Sequence, residues 1–232
     1  GARAMTSSSS PGISLKQEGI SYICCSRLPC VIVNMVRGGP GLGGIQPAQS
    51  DYFQATKGGG HGDYHMIVYG PNSVQECVDI MYDAFDVSEK YRVPVMILGD
   101  GMLGQIMEPV ELPEFKDLSK LPRKAWATYG DNKGKDRQII NSLLIEPDVL
   151  ERHNHLLFDT YKEIADNETM CEEYLCSDAE IVLTAYGTVA RIAKSAVDIL
   201  RSRGIKVGLL RPITLYPFPE KAFIKVAEQD CV

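Results

Sequence analysis

The apolar run Val31-Ile32-Val33-Asn34-Met35-Val36 empties straight into Arg37-Gly38-Gly39-Pro40-Gly41-Leu42-Gly43-Gly44. A short, nearly continuous β-branched run predicts a strand buried on both faces, as in a parallel sheet covered by helices. The glycines allow a sharp turn and close backbone approach to a ligand. In open α/β sheets, ligands bind beyond the carboxyl ends of the strands. A guanidinium there offers a rigid fork to carboxylate or phosphate. The loop therefore reads as a small-molecule anion site, with Arg37 as its cation and Gly41 giving close access. Gly39, Gly41 and Gly44 also satisfy G-x-G-x-x-G, but that fingerprint needs a helix opening directly on the glycines. Pro47 interrupts at once, and no acidic residue stands at the expected second strand end, which argues against a dinucleotide site.

The same alternation recurs along the chain. Pro11 fits the first position of a helix running to about Ser26, with Ser10 as its N-cap. Ile13, Ile20, Ile23 and Cys24 share one predicted buried face. A strand over 30–36, a short helix over 50–56, a glycine loop and a strand over 66–69 follow. Ser73-Val74-Gln75-Glu76 is a capping box. It opens a helix to about Lys90 with Val74, Cys77, Val78, Met81 and Phe85 inward, and a buried strand covers 93–98. This pattern predicts an α/β fold with a mostly parallel sheet. From Pro109 to Asp178 prolines, charges and Asp131-Asn132-Lys133-Gly134 indicate an extended connector with one charged helix over 147–163. Alternation then resumes: strand 181–186, helix 189–203, strand 206–210 and a final helix after Pro217-Phe218-Pro219. A further strand is expected where the sequence stops at Cys231-Val232. The expected division is a first domain over 1–108, a connector over 109–176 and a second α/β domain over 177–232, incomplete at both ends.

At 232 residues the chain can hold one large or two small cores. A net charge of −6 argues against a nucleic-acid surface. No apolar run approaches the ~20 residues that span a membrane, and no signal-peptide pattern is present. The seven cysteines, Cys24, Cys25, Cys30, Cys77, Cys171, Cys176 and Cys231, contain no C-x-x-C pair, so no zinc ribbon or ferredoxin-type cluster is indicated. Cys24, Cys25, Cys30 and Cys77 read as small buried hydrophobes, and an odd number of scattered thiols suits a reducing cytoplasm.

Several long segments resemble one family: residues 1–15 with Gln17-Glu18-Gly19-Ile20-Ser21-Tyr22, residues 37–51, His61-Gly62-Asp63-Tyr64 and Leu98-Gly99-Asp100-Gly101. Trp126-Ala127-Thr128, Glu151-Arg152-His153-Asn154, Ala185-Tyr186-Gly187-Thr188 and residues 210–219 extend the match. They resemble the 2-oxoacid:ferredoxin oxidoreductases, in the subunit carrying the pyrimidine-binding thiamine diphosphate domain, followed by a transketolase C-terminal-like domain. The branched-chain, 2-oxoisovalerate type is the nearest in pattern, with 2-oxoglutarate and pyruvate types more distant. The resemblance implies oxidative decarboxylation of a 2-oxoacid such as 3-methyl-2-oxobutanoate to acyl-CoA and carbon dioxide. It implies thiamine diphosphate shared between subunits, magnesium and iron–sulfur clusters on partner subunits, and ferredoxin and coenzyme A as reaction partners. No metal ligand is expected on this chain.

The resemblance also implies roles. Arg37 matches the arginine that grips the substrate carboxylate. Gln46, Gln49 and Asp51 lie in the same loop and could orient substrate or pyrimidine, or simply bond the loop to itself. His61 and Asp63 are candidates to line the site, although their spacing does not require them to meet; His153 and His155 are weaker ones. The serines at 7–10 could face an anion, or serve only as a cap. Gly99-Asp100-Gly101 begins like a thiamine–magnesium motif that Leu103-Gly104-Gln105 and Asn132 do not complete, so Asp100 reads as a strand-end turn residue. The glutamate that activates the pyrimidine lies upstream of the segment at which this sequence begins, so no residue here takes that role. The chain is expected to be inactive alone. Two other readings stay open: a thiamine enzyme of another class, and a non-catalytic assembly module.

Overall fold

The computed structural model describes residues 2–121, 123–128 and 137–229; the turn read at Asp131-Asn132-Lys133-Gly134 and the ending at Cys231-Val232 lie outside them. The chain runs β1 (Met5–Ser8), α1 (Pro11–Cys25), β2 (Val31–Val36), α2 (Tyr52–Thr56), β3 (Ile67–Tyr69), α3 (Val74–Tyr91) and β4 (Val95–Asp100). It continues through α4 (Pro147–Asn167), β5 (Cys171–Tyr174), β6 (Ile181–Thr184), α5 (Gly187–Ser202), β7 (Val207–Pro212), β8 (Thr214–Tyr216) and α6 (Glu220–Ala227). A five-stranded sheet has the order β1-β2-β4-β3-β8, parallel except for β8, which pairs antiparallel with β3. A three-stranded sheet has the order β5-β7-β6, with β5 antiparallel to β7. The register Val36↔Asp100 brings the carboxyl ends of β2 and β4 level, so Arg37 and Asp100 open on the same end of the sheet.

Alternate residues of the central strands serve two cores, as a sheet covered on both faces requires. Ile32, Val68 and Met96 pack with Ile13, Ile20 and Cys24 of α1. Val31, Val33, Val95 and Ile97 pack with Ala84 and Tyr91 of α3 and with Leu157, Tyr161 and Ile164 of α4. The deepest stripe of α3 is Ala84, Ser88 and Tyr91, whereas Val74, Cys77, Val78, Met81 and Phe85 are half-buried. Apolar content alone misses that stripe because Ser88 is buried to make bonds. Its Oγ donates to the Val93 carbonyl at 2.7 Å and accepts from the Cys30 N–H at 3.0 Å, stitching the approaches to β2 and β4. Ile23 is likewise half-buried.

Helix α4 crosses the amino ends of the strands. His153 Nε2 lies 2.7 Å from the Cys25 carbonyl at the end of α1, and Tyr91 Oη donates to Glu168 at 2.6 Å. His65, just before β3, stacks on Tyr216 with ring centroids 4.2 Å apart and meets Tyr161 edge-on at 5.2 Å. Burial pushes its pKa down.

The two sheets interleave in sequence. β5, from the stretch read as connector, joins the second sheet, while β8 returns from β7 to the edge of the first. A buried charge cluster fixes this crossing. Arg211 on β7 is 4% exposed; its terminal nitrogens donate to both carboxylate oxygens of Glu76 on α3 at 2.9 and 2.7 Å, and its Nε donates to Glu172 on β5 at 2.8 Å. Glu76 is thereby drawn from its expected capping role. Ser73 still accepts from the Glu76 N–H, but the Glu76 carboxylate takes the N–H of Asn72 and the Arg211 fork. Removing one partner of a buried ion cluster strands the others, at about 3–5 kcal/mol. Arg211→Ala should lower stability by about that amount in urea unfolding; a loss no larger than a surface change would contradict the assignment.

Glu172 adds a pH dependence. Burial opposes its charge, but hydrogen bonds from Lys194 and Arg211 outweigh this and hold its carboxyl below its ordinary value of 4.5. A depressed folded pKa stabilises above the unfolded value and loses that contribution as pH falls through the folded one. The urea midpoint should therefore drop below about pH 4.5, and Glu172→Gln should flatten that part of the fall.

Candidate active site

Asn34 is the one polar residue of β2 and is fully buried. Its Oδ1 accepts the Ser10 N–H at 2.9 Å and its Nδ2 donates to Asp51 Oδ2 at 3.0 Å. The acceptor and donor demands of these partners fix which way the amide points. Ser10 occupies the N-cap position of α1, as expected, but its side chain caps nothing there. Its Oγ instead accepts the Arg37 N–H at 3.1 Å and lies 3.5 Å from the Arg37 carbonyl, to which it donates. With φ 33° and ψ −84°, Ser10 holds a disfavoured backbone conformation, which costs about 1–3 kcal/mol and persists only when neighbours over-determine it.

The glycine loop closes on itself. Arg37 and Pro47 form an antiparallel bridge, the Gly38 N–H donates to the Gln46 carbonyl at 2.9 Å, and the Gly44 N–H donates to the Gly38 carbonyl at 2.8 Å. Asp51 then precedes α2, so helix formation is delayed past Pro47, as the sequence predicts. The Arg37 Nε is buried with no hydrogen-bond partner among the described residues. Such a group is costly unless a ligand meets it. The Gln46 side chain is exposed. Gln49 Nε2 donates to the Tyr186 carbonyl at 2.9 Å, and Tyr186 Oη donates back to the Gln49 carbonyl at 3.3 Å, tying the loop to the start of α5. Asp100, 6% exposed, accepts the N–H groups of Met102 and Leu103, each at 3.0 Å, in a strand-end turn. Val36, Ala48, Gln49, Leu98, Asp100 and Tyr186 close together between these parts, around a gap with no room for a water molecule.

The structure thus gathers Arg37, Gly41, Gln46, Gln49 and Asp51 in one loop at the carboxyl end of the first sheet. It does not bring His61 and Asp63 into that loop. The His61 carbonyl accepts from Ser21 Oγ at 2.6 Å, roughly 16 Å down helix α1 from Ser10 at 1.5 Å per residue. Both side chains are exposed, and Asp63 acts electrostatically on His65. His153 lies at the opposite, amino end, and His155 is exposed on α4. Asn34 is the neighbour of this loop that sequence reasoning passes over; Ser10 reads there as a cap or an anion-facing serine, and Tyr186 only as part of a matching segment. The available signal is Asn34 itself, a lone amide in an otherwise apolar strand. A larger cleft of about 760 Å³ lies elsewhere, between α2, the end of α4, β8 and α6, and none of the loop residues lines it. No group of three or more potential metal ligands occurs among the described residues, and no helix there is long and apolar enough to cross a membrane. Cys24 and Cys176 are buried, whereas Cys25, Cys30, Cys77 and Cys171 are only partly so; burial pushes the Cys77 thiol up to about 12 and Cys171 to about 11.

Residues 1–173 match the family model for pyruvate flavodoxin/ferredoxin oxidoreductase, thiamine diphosphate-binding. The chain belongs to this family. Residues 179–232 match pyruvate:ferredoxin oxidoreductase core domain II. Among curated relatives, the chain is 51% identical over 231 residues to the ketoisovalerate oxidoreductase subunit VorB of Methanothermobacter marburgensis, covering 100% of this chain and 65% of that protein. It is 36% identical over 256 residues to the 2-oxoglutarate synthase subunit KorA of Methanocaldococcus jannaschii, covering 100% of this chain and 69% of that one. Among solved structures, it resembles the 2-oxoglutarate:ferredoxin oxidoreductase of Magnetococcus marinus, with 2-oxoglutarate, coenzyme A and succinyl-CoA bound. That match has a TM-score of 0.80 at 25% identity and covers 98% of this chain and 44% of that one. The chain therefore spans less than two thirds of the length of the ketoisovalerate relatives.

Two glycines of the family's loop differ in what they tolerate. Gly43 has φ +61° and a Cβ there would lie 1.8 Å from the Gly38 carbonyl oxygen; Gly41 has φ +70° but open space around it. Gly41→Ala should cost about 1 kcal/mol of left-handed strain, and Gly43→Ala clearly more. Equal urea midpoints for the two variants would refute this ranking.

Proposed function

We propose that this chain is part of the subunit of a ferredoxin-linked oxidoreductase that contributes the pyrimidine-binding side of a thiamine diphosphate site and oxidatively decarboxylates branched-chain 2-oxoacids. The observation that carries the branched-chain reading is the 51% identity to the ketoisovalerate subunit along the whole chain, against 36% to the 2-oxoglutarate subunits. The buried, unmatched Arg37 Nε at the carboxyl end of the sheet supports an oxoacid carboxylate as the anion.

The residues fit an oxoacid beside such a cofactor. Arg37 offers a charge-assisted fork to the carboxylate. The grip orients a carboxylate whose charge disappears as carbon dioxide leaves, so too tight a hold would favour the ground state over the transition state. Gln46 projects from the same loop as a further polar contact, while Gln49 is committed to Tyr186 and steadies the loop. The carboxylates at this end of the sheet are already engaged, Asp51 by Asn34 and Asp100 by a turn, so neither is assigned to activating the pyrimidine. Thiamine diphosphate, when bound, supplies the carbon nucleophile and the electron sink for decarboxylation. Magnesium and iron–sulfur clusters belong in this reading to partner subunits, with ferredoxin and coenzyme A as the other reactants, in a reducing cytoplasm that suits the free thiols.

The test uses the full-length subunit assembled with its partners, following coenzyme A-dependent reduction of ferredoxin by 2-oxoisovalerate, pyruvate and 2-oxoglutarate. The highest kcat/KM is expected with 2-oxoisovalerate, and Arg37→Ala should lower it about 10–100-fold, the worth of a charged hydrogen bond. Preference for 2-oxoglutarate would replace the branched-chain reading, and no reduction with any 2-oxoacid would sink the enzyme reading in favour of an assembly module.

A further inference from the structure

We infer that Asn34 is a positioning residue for Arg37, acting through Ser10 on one side and Asp51 on the other. This rests on the reading of Arg37 as the carboxylate-binding group. Arg37 is the last residue before the backbone leaves the sheet, and nothing among the described residues holds its Nε in place. What the fold fixes is the backbone from which the guanidinium departs, by two ties: the Ser10 hydroxyl on its N–H, and the bridge to Pro47 that starts the return of the loop. Both lead back to Asn34. One end of the Asn34 amide holds Ser10 by its N–H at 2.9 Å, keeping that residue in its disfavoured conformation with Oγ aimed at Arg37. The other end holds Asp51 at 3.0 Å, where the returning loop enters α2. A single buried side chain thus anchors the departure and the return of the segment that presents the guanidinium. An apolar residue would fill the same strand position at least as well for packing, since its neighbours Val33 and Val36 are buried and apolar. The amide is needed for its two opposite hydrogen-bonding ends.

Asn34→Asp keeps the acceptor for the Ser10 N–H but sets a carboxylate against Asp51. Adding Asp51→Asn restores that bond with its direction reversed. A packing role predicts nothing special for the exchanged pair; a positioning role predicts rescue. The readout in the assembled full-length complex is modification of Arg37 by phenylglyoxal, an arginine reagent, followed by peptide mass spectrometry with and without 2-oxoisovalerate. Substrate should protect Arg37 in the unaltered complex. The half-protecting concentration should rise about tenfold in Asn34→Asp and return to within about threefold in the double variant. KM for the oxoacid should follow the same order. Protection in Asn34→Asp equal to that of the unaltered complex, or no recovery in the double variant, overturns the inference. If Asn34→Asp fails to assemble, Ser10→Ala, which removes only the hydroxyl tie, must give the same rise in half-protecting concentration or the inference falls. Absence of protection by 2-oxoisovalerate, pyruvate or 2-oxoglutarate in the unaltered complex would instead defeat the carboxylate-binding reading, and this inference with it.

Discussion

The geometry of this molecule hangs on a guanidinium removed from water. Arg211 sits at the end of β7, faces a carboxylate from the first unit and one from the second, and has almost no solvent to fall back on. Burial alone would push its pKa down, but the hydrogen bonds and charges of Glu76 and Glu172 raise it instead. A planar fork with three engaged nitrogens specifies distance and angle as well as contact. The ion pair of Arg191 with Glu108 at 2.5 Å joins the same two parts farther along α5. The placement of Tyr186 against Gln49 follows from this docking, so the loop bearing Arg37 is steadied by residues remote in sequence.

The site itself follows a different economy. Here the chain spends polar groups in its interior, Asn34, Ser10 and Asp51, to hold a strained approach to one cation. Buried polar networks are rigid when fully satisfied and costly when not. The ties end at the Arg37 backbone, and its buried Nε has no hydrogen-bond partner among the described residues.

Much of this was legible in the residues. The apolar runs and turn signals located β2, β3 and β4 of the first sheet and the helices α1 to α4, but neither of its edge strands β1 and β8. What was not legible depended on long-range pairing. β5 is half-exposed, with two glutamates in a four-residue strand, and has no pattern of its own; it is a strand because β7 offers it an edge. β8 is three residues long and exists because β3 has a free side. His61 and Asp63 were candidates by chemistry, yet the glycines around them fold that loop onto the flank of α1, and adjacency to a site cannot be read from residue type alone. Ser10 is the instructive case. Local rules make it a helix cap, and only the arrival of β2 alongside gives its hydroxyl a better partner.

The return of β8 to the first sheet bears on how the chain is made. β1 to β4 are complete once Asp100 has been synthesised, but the outer edge of β3 stays uncovered until Thr214–Tyr216 emerge, more than a hundred residues later. During that interval the nascent sheet presents an unpaired strand whose residues are all buried in the finished fold. Such an edge recruits any extended segment that reaches it. The stretch in between includes α4, whose Tyr161 lies beside His65 at the foot of β3. The helix thus reaches that strand first along the chain and shields its base while translation catches up.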